Sequence, residues 1–351
     1  MPHHIFAINP GSTSTKIAMY DAETPVDSTV LRHRPEDLAR FPRIWDQEEL
    51  RRSAVKQWMD AHPGSLNAVV GMGGLLRPLT GGTYLVNEKM IADARKNLQG
   101  EHASNLGCAL AADIARIHAC KAYVVDPVSV DEFEPLARYS GHPLIRRRAL
   151  SHALNIHASA RRAAHNLDIP YDRGRFVVAH LGGGISICPL RGGRIIDAND
   201  ANSDGPFSPE RTGGLPLEQF MDLCFSGRHT RETLSRMIRG QGGLTAYLGT
   251  NSAAEIEEAI SRGNEEAREV FEAMAYQIAK EIGAMATVLQ GRIDAVVLTG
   301  GLAHSELLIR WLQDRVAFLG RILVYPGEDE MRAMIEGALR VLRGLEQPLE
   351  Y

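Results

Sequence analysis

The 351-residue chain is 44% hydrophobic and 23% charged, ordinary for a globular protein with ample material for a core, and its length points to two domains. A formal net charge of −4 offers no basic field for nucleic acid or an anionic membrane surface. Four widely spaced cysteines without a C-x-x-C, and thirteen histidines without ligand spacing, argue against a disulfide framework and a tightly bound transition metal. No apolar run approaches the ~18 residues of a membrane span. Met1-Pro2-His3-His4 lacks the regions of a signal peptide, so the reading is a cytoplasmic protein with reduced thiols.

In chain order, Ile5 to Ile8 and Ile17 to Tyr20 are short apolar runs on either side of a Gly/Pro/Ser/Thr turn, two antiparallel strands joined by a tight loop. The loop stretch, "INPGSTSTK" (Ile8 to Lys16), has the hydroxyls, glycine and lysine of a phosphate loop but not the second glycine of G-x-x-x-x-G-K-[ST]. Read alone, it fits a phosphate-holding hairpin and a plain turn equally well. Gln47 to Ala61 follows as an amphipathic helix, Leu66 to Gly71 as a strand, His102 to Ala119 as a helix and Lys121 to Asp126 as a strand. The basic run Arg146-Arg147-Arg148 reads as a solvated face before a helix from Ser151 to Asn166. Then the hairpin returns: Phe176 to His180, the turn Leu181-Gly182-Gly183-Gly184, and Ile185 to Cys188. Two such units, one opening each half, suggest two related domains whose loops present backbone N–H groups to phosphates across a cleft.

Leu215, Phe220, Met221 and Cys224 mark a candidate buried helix face. Ser252-Ala253-Ala254-Glu255 is a capping box, opening a helix that reaches about Arg262. Asn264 precedes a longer one, with Phe271, Met274, Ile278, Ile282, Met285 and Leu289 at helical spacing as core and Gly291 at its end. Ala295 to Leu298 is a strand buried on both faces, and Thr299-Gly300-Gly301-Leu302 turns it into a helix start, an edge suited to nucleotide. The last helix, Asp329 to Leu342, can return to the first domain. Alternating strands and helices make the class α/β.

These motifs resemble a known family. "INPGSTSTK", "GGLLRPLTGGTYLVNEKM" (Gly73 to Met90), "EHASNLG" (Glu101 to Gly107), "VVDPVSVDEF" (Val124 to Phe133), "AHLGGGIS" (Ala179 to Ser186), "DGPFSPERTGGLP" (Asp204 to Pro216), "VLTGGLAH" (Val297 to His304) and "YPGEDEM" (Tyr325 to Met331) are similar to those of the butyrate kinases. These are short-chain acid kinases related to acetate kinase. The resemblance covers almost the whole chain. It implies two duplicated βββαβαβα domains of the acetate and sugar kinase/Hsp70/actin (ribonuclease H-like) fold with a central cleft. The implied domains are 1–165, with 329–351 returning to it, and 166–328. The implied reaction moves a phosphoryl group between ATP and a short-chain carboxylate, butyrate first, giving an acyl phosphate and ADP with Mg²⁺ as cofactor. Acetate, propionate or a branched-chain acid is the alternative substrate. A homodimer or higher homo-oligomer is implied as well. A carboxylic acid of pKa ~4–5 is already ionised at neutral pH, so the nucleophile needs no general base; alignment and positive charge are what phosphoryl transfer requires.

By resemblance, Asn9, Gly11, Ser12, Ser14 and Lys16 form the first phosphate loop, and Gly182, Gly183, Gly184, Gly300 and Gly301 the phosphate and adenosine loops. Arg211 neutralises the transferring phosphoryl group, His152 and His180 donate to its oxygens, and Asp126 and Glu330 bracket Mg²⁺. His102 lies near the acid. Each has a plainer reading: a turn, a solvated cation, a structural histidine, a helix cap. One departure stands out. Where the family carries an arginine for the substrate carboxylate, this chain has Met72, which makes no charge-assisted hydrogen bond. Arg77, five residues on, is the candidate replacement, and Gly73 and Gly74 suggest room for a longer acyl chain. Met72 is also the feature favouring an alternative of another class, a weakly catalytic nucleotide-binding module of the actin/Hsp70 type.

Overall fold

The structure, a computed structural model, describes residues 3–351 and divides into two compact units. The first runs to Asp131 and resumes from Asp329 to Tyr351; the second is Glu132–Glu328.

The first unit is built on a six-stranded sheet of order β3-β2-β1-β4-β6-β5. Strand β1 (His4–Pro10) pairs antiparallel with β2 (Ser14–Asp21), which pairs antiparallel with β3 (Thr24–Arg32). On its other side β1 runs parallel to β4 (Ala68–Gly71), and β4 parallel to β6 (Lys121–Val125); the short β5 (Thr83–Leu85) closes the edge antiparallel to β6. The apolar runs of β1 and β4 are buried, as strands covered on both faces must be. Helices α1 (Pro35–Leu38), α2 (Glu48–Asp60), α3 (Glu88–Arg95) and α4 (Gly107–Ile117) belong to this unit. α4 lies almost backbone to backbone on β4: a Cβ on Gly71 would overlap the Gly107 carbonyl, and one on Gly107 the Met72 carbonyl. Register sets Ile8 opposite Gly71 and Gly71 opposite Val124. Asn9, Met72 and Asp126 therefore emerge together at the carboxyl ends of three parallel strands, where α/β sheets bind ligands.

The second unit repeats the plan with a sheet of order β11-β10-β7-β8-β9. The hairpin of β7 (Arg175–Leu181) and β8 (Ile185–Arg191) carries β9 (Arg194–Ile195) on one side, and β7 runs parallel to β10 (Ala295–Gly300), itself parallel to β11 (Ile322–Pro326). Its helices are α5 (Ala153–Asn166), α6 (Leu217–Phe225), α7 (Arg231–Ile238), α8 (Gly243–Leu248), α9 (Ala253–Ser261), α10 (Glu265–Val288) and α11 (Glu306–Val316). Ser252, Asn264 and Ser305 cap α9, α10 and α11 through their side chains. The expected stripe on α10 is core, with Phe271, Met274, Ile278 and Ile282 fully buried.

Three expectations change. The break falls after Asp131, not after 165, because α5, although it follows the first repeat, packs on β7 and β10 of the second sheet. As expected, the chain's last helix, α12 (Glu330–Leu342), packs on β1, β4 and β6 of the first sheet, and its Gly337 lets it approach Val125. Helix α6 buries no residue, so the apolar pattern there is not a core face; Leu217, Met221 and Phe225 form an exposed stripe instead. In the basic run only Arg146 is simply solvated: Arg147 bonds Asp197 at 2.8 Å and the Ala198 carbonyl, and Arg148 bonds Asp200 at 2.8 Å.

Candidate active-site residues

In the first unit the β1–β2 turn is closed by the Gly11 N–H donating to the Ser14 carbonyl at 2.7 Å. Ser12 is exposed and Ser14 half-buried, and among the described residues neither hydroxyl bonds protein. Lys16, also exposed, makes no ion pair there. The turn thus offers two hydroxyls and an ammonium from one rigid hairpin, with no helix behind it.

Asn9 and Glu330 meet although they are far apart in sequence: Asn9 Nδ2 donates to Glu330 Oε2 at 2.7 Å. Asp329 caps α12 by accepting from the Arg332 N–H, which leaves Glu330 in the first turn facing the strand ends. Asp126 follows β6 with φ at +38°, a left-handed conformation that aspartate tolerates at some cost. A reciprocal pair holds it, its N–H donating to the Gly82 carbonyl at 2.9 Å and its Oδ1 accepting from the Gly82 N–H at 2.6 Å. That engages one carboxylate oxygen and leaves the other. No group of three or more His, Cys, Asp or Glu that could hold a metal occurs among the described residues. A hard ion here would keep most of its shell as water and phosphate oxygen, and the donor set fits Mg²⁺.

The acid-side candidates separate. Met72 is half-buried at the end of β4. Gly73 and Gly74 are demanded by packing rather than by room for an acyl chain: a Cβ on Gly73 would overlap Pro127, and one on Gly74 would overlap Asn105. Asn105, fully buried, ties that loop down by accepting from the Leu75 N–H and donating to Asn97 and the Gly100 carbonyl. His102 caps the 3-10 turn Ala103–Leu106 through Nδ1, which accepts from the Ser104 N–H. Arg77 is not brought to Met72; its guanidinium is held by Asp93, with Nε at 2.5 Å from Oδ2, and Tyr351 contacts the same carboxylate.

In the second unit His180 on β7 stacks on His152, just before α5, with ring centroids 3.9 Å apart and planes 15° from parallel. Burial, with the charge of Arg211 beside it, pushes His152 down to about 4. Burial first, then His152 and Arg211, push His180 well below the ordinary histidine range. Both rings are therefore neutral at pH 7, and the 3.4 Å approach of Glu328 to His180 is not an ion pair. Ser186 Oγ accepts from the His152 N–H at 3.4 Å and pairs with His152 Nδ1 at 2.9 Å; with the hydroxyl donating to Nδ1, the ring proton sits on Nε2. Asn155 Oδ1 lies 2.9 Å from His180 Nδ1 and pairs with it. Nothing in the sequence singled out Asn155, whose role depends on α5 lying against β7; Ser186 was visible only as the end of a motif.

Arg211 is half-buried and, among the described residues, makes no ion pair. Burial lowers its pKa, partly offset by Glu210. Its Nη1 donates to the Ala201 carbonyl at 2.9 Å. It crosses the hairpin turn at Gly184, where a Cβ would overlap the guanidinium. Ser208 fastens the same segment, donating to the Gly183 carbonyl at 2.6 Å and accepting from the Arg211 N–H. Gly300 needs glycine twice over, for φ at +92° and for its approach to the Leu181 backbone, whereas Gly301 faces open space. The structure so gathers His152, His180, Arg211 and the Gly182–Gly184 loop into one partly buried cluster around a guanidinium. Such a cluster suits an anion.

A model of the Acetokinase family matches residues 137–323. Two probable butyrate kinases of Listeria monocytogenes, from a serotype 4a and a serovar 1/2a strain, are 47% identical over the full length of both chains. Among solved structures, acetate kinase of Porphyromonas gingivalis superposes with a TM-score of 0.78 at 19% identity, covering 98% of this chain and 100% of its own. A propionate kinase of Francisella tularensis gives 0.75 at 18% identity, covering 95% and 98%. At those identities the structures show the fold.

Proposed function

This chain belongs to the acetokinase family, and from that membership we propose how its residues work. It is a short-chain carboxylate kinase, interconverting ATP and a carboxylate with ADP and an acyl phosphate; butyrate is the acid its relatives' names favour. A carboxylate oxygen attacks the γ-phosphorus as the bond to the ADP oxygen breaks, and no proton has to move. The observation that carries this reading is Arg211, a guanidinium with no ion-pair partner among the described residues, beside two neutral, buried imidazoles. Arg211 meets the charge spread over the equatorial oxygens, and His152 donates from Nε2 when the Ser186 hydroxyl donates to its Nδ1. His180 donates likewise when Asn155 presents its amide nitrogen to Nδ1, the two amide orientations being alike in shape.

In the first unit Asn9, Ser12, Ser14 and Lys16 are assigned to nucleotide phosphates, and Met72 and His102 to the acid. Asp126 and Glu330 are the residues that would hold Mg²⁺ through its waters. When bound, the ion offsets phosphate charge. A homodimer is proposed too, supported by the exposed stripe Leu217, Met221 and Phe225, and a cytoplasmic location, supported by four free cysteines. Hydroxamate trapping of acyl phosphate from C2–C6 acids with ATP and Mg²⁺ tests the activity. The four-carbon acid should give the strongest signal, and no product from any acid with folded protein would reject the reading.

A further inference from the structure

Among the described residues the largest fully buried side chain is a charged one, Arg51 on α2, at 0% exposure. An arginine so placed ordinarily faces a carboxylate, yet among the described residues Arg51 makes no ion pair. Its five N–H groups are nevertheless all engaged. Nε donates to Gln47 Oε1 at 3.2 Å, and Nη2 to the same oxygen at 2.9 Å and to the Ser12 carbonyl at 3.1 Å. Nη1 donates to the Ser14 carbonyl at 2.9 Å and to Thr15 Oγ1 at 3.1 Å. Burial lowers its pKa to about 10, so the charge persists at neutral pH.

The acceptors lie in the turn of the first hairpin. With the His33 N–H donating to the Thr13 carbonyl at 2.9 Å, the carbonyls of Ser12, Thr13 and Ser14 are all bound within the protein. In a trans peptide the N–H of the next residue points opposite to the carbonyl. Fixing the Ser12 and Thr13 carbonyls inward therefore directs the Thr13 and Ser14 N–H groups outward, on the side of the free Ser12 and Ser14 hydroxyls. Thr15 Oγ1 accepts from Arg51 and also pairs with His33 Nε2 at 2.9 Å, so the network closes within the protein. The core beneath the turn thus holds an uncompensated positive charge that an anion above the turn would offset.

We propose that Arg51 is the positioning residue of the first phosphate loop: it holds the Ser12 and Ser14 carbonyls inward, beside the Thr13 carbonyl held by His33, so that the Thr13 and Ser14 N–H groups and the Ser12 and Ser14 hydroxyls stand ready for a phosphate anion. This rests on the reading that the hairpin binds nucleotide phosphate. Lysine keeps the charge but has three donors in no fixed plane, and methionine fills the space with neither charge nor fork.

The test compares Arg51→Lys and Arg51→Met with the wild type by circular dichroism, steady-state kinetics and hydrogen exchange of the Gly11 and His33 amides, which donate to the Ser14 and Thr13 carbonyls. With the fold intact, kcat should fall about 10-fold in the lysine variant and about 10²-fold in the methionine variant, as for a misplaced binding group. The KM for the acid should stay within about threefold, and exchange of those two amides should quicken while the interiors of β1 and β4 stay protected. Wild-type kcat with unchanged exchange at Gly11 and His33, or quickened exchange throughout the first unit, would overturn the proposal in favour of a plain core residue. Should the methionine variant not fold, the lysine variant decides. A wild-type protein that forms no acyl phosphate would sink the functional reading instead, and exchange at Gly11 and His33 would still report whether Arg51 holds the turn.

Discussion

Gly184→Ala separates the alignment of Arg211 from the stability of the fold. Gly184 has no left-handed φ, so alanine suits its backbone. The obstacle is the Arg211 guanidinium, whose Nη1 and Cζ a Cβ would overlap. To reach ordinary contact at 3.4 Å or more the guanidinium must retreat by more than ~1 Å. Because the obstacle is the end of a flexible side chain, the cost to folding is small. Straining the bond to the Ala201 carbonyl loses up to ~1.5–3 kcal/mol, offset by ~0.4–1 kcal/mol from the stiffer unfolded chain. The net is about 1–2 kcal/mol, a few degrees in melting temperature. The cost to catalysis is larger, since a misplacement of about 1 Å lowers rate by about 10²-fold. Hydroxamate-trapped turnover at saturating substrates, with a melt of the same sample, reads both quantities. Turnover within about twofold of wild type would show that Arg211 does not act from over Gly184. A loss of stability above ~4 kcal/mol would show that the backbone, not the side chain, absorbed the clash.

Stability should fall with acid: the fold keeps His152 and His180 neutral, while the unfolded chain protonates them below ~6.5, so the unfolded state binds more protons below that pH. Between pH ~6.5 and about 4 each histidine then costs roughly 1.4 kcal/mol per unit, about 3 kcal/mol by pH 4 for His152, with no contribution above pH ~7. Urea melts of wild type and His152→Gln should converge on acidification, and parallel curves would contradict the burial argument. Asp126→Asn keeps the oxygen that Gly82 uses but loses the charge, so kcat should drop by about 10²-fold and the Mg²⁺ requirement rise; an unchanged Mg²⁺ titration would remove Asp126 from the ion's site. Met72→Arg should lower the KM for the acid by about 10-fold, some 1.4 kcal/mol. Arg77→Ala, which breaks the pair with Asp93, should instead reduce stability, and a selective rise in acid KM there would restore Arg77 as the carboxylate's partner.

The sequence by itself determined the elements whose signal is local. Apolar runs of four or five residues bounded by glycine and hydroxyl turns marked β1, β2, β4, β7, β8 and β10, because strands covered on both faces have no polar alternation to confuse with a helix. Ser252 and Asn264 marked two helix starts because a cap bonds only three residues along. Strand β3 was not legible: Thr24–Arg32 is an exposed edge with a proline and no buried residue, so no pattern of burial was written into it. The turn glycines and Arg211 were legible as residue types suited to anions. What each contacts was not, because those partners come from remote segments. Only the tertiary structure set Glu330 on Asn9, Asp126 against Gly82, Asn155 and Ser186 behind the two histidines, and Arg77 on Asp93. The transfer of α5 to the second sheet was equally invisible, although the return of α12 to the first was expected from the sequence. An amphipathic helix specifies that one face must be covered, and any apolar sheet face satisfies that demand; which sheet does so is decided by packing, as where Gly337 admits Val125.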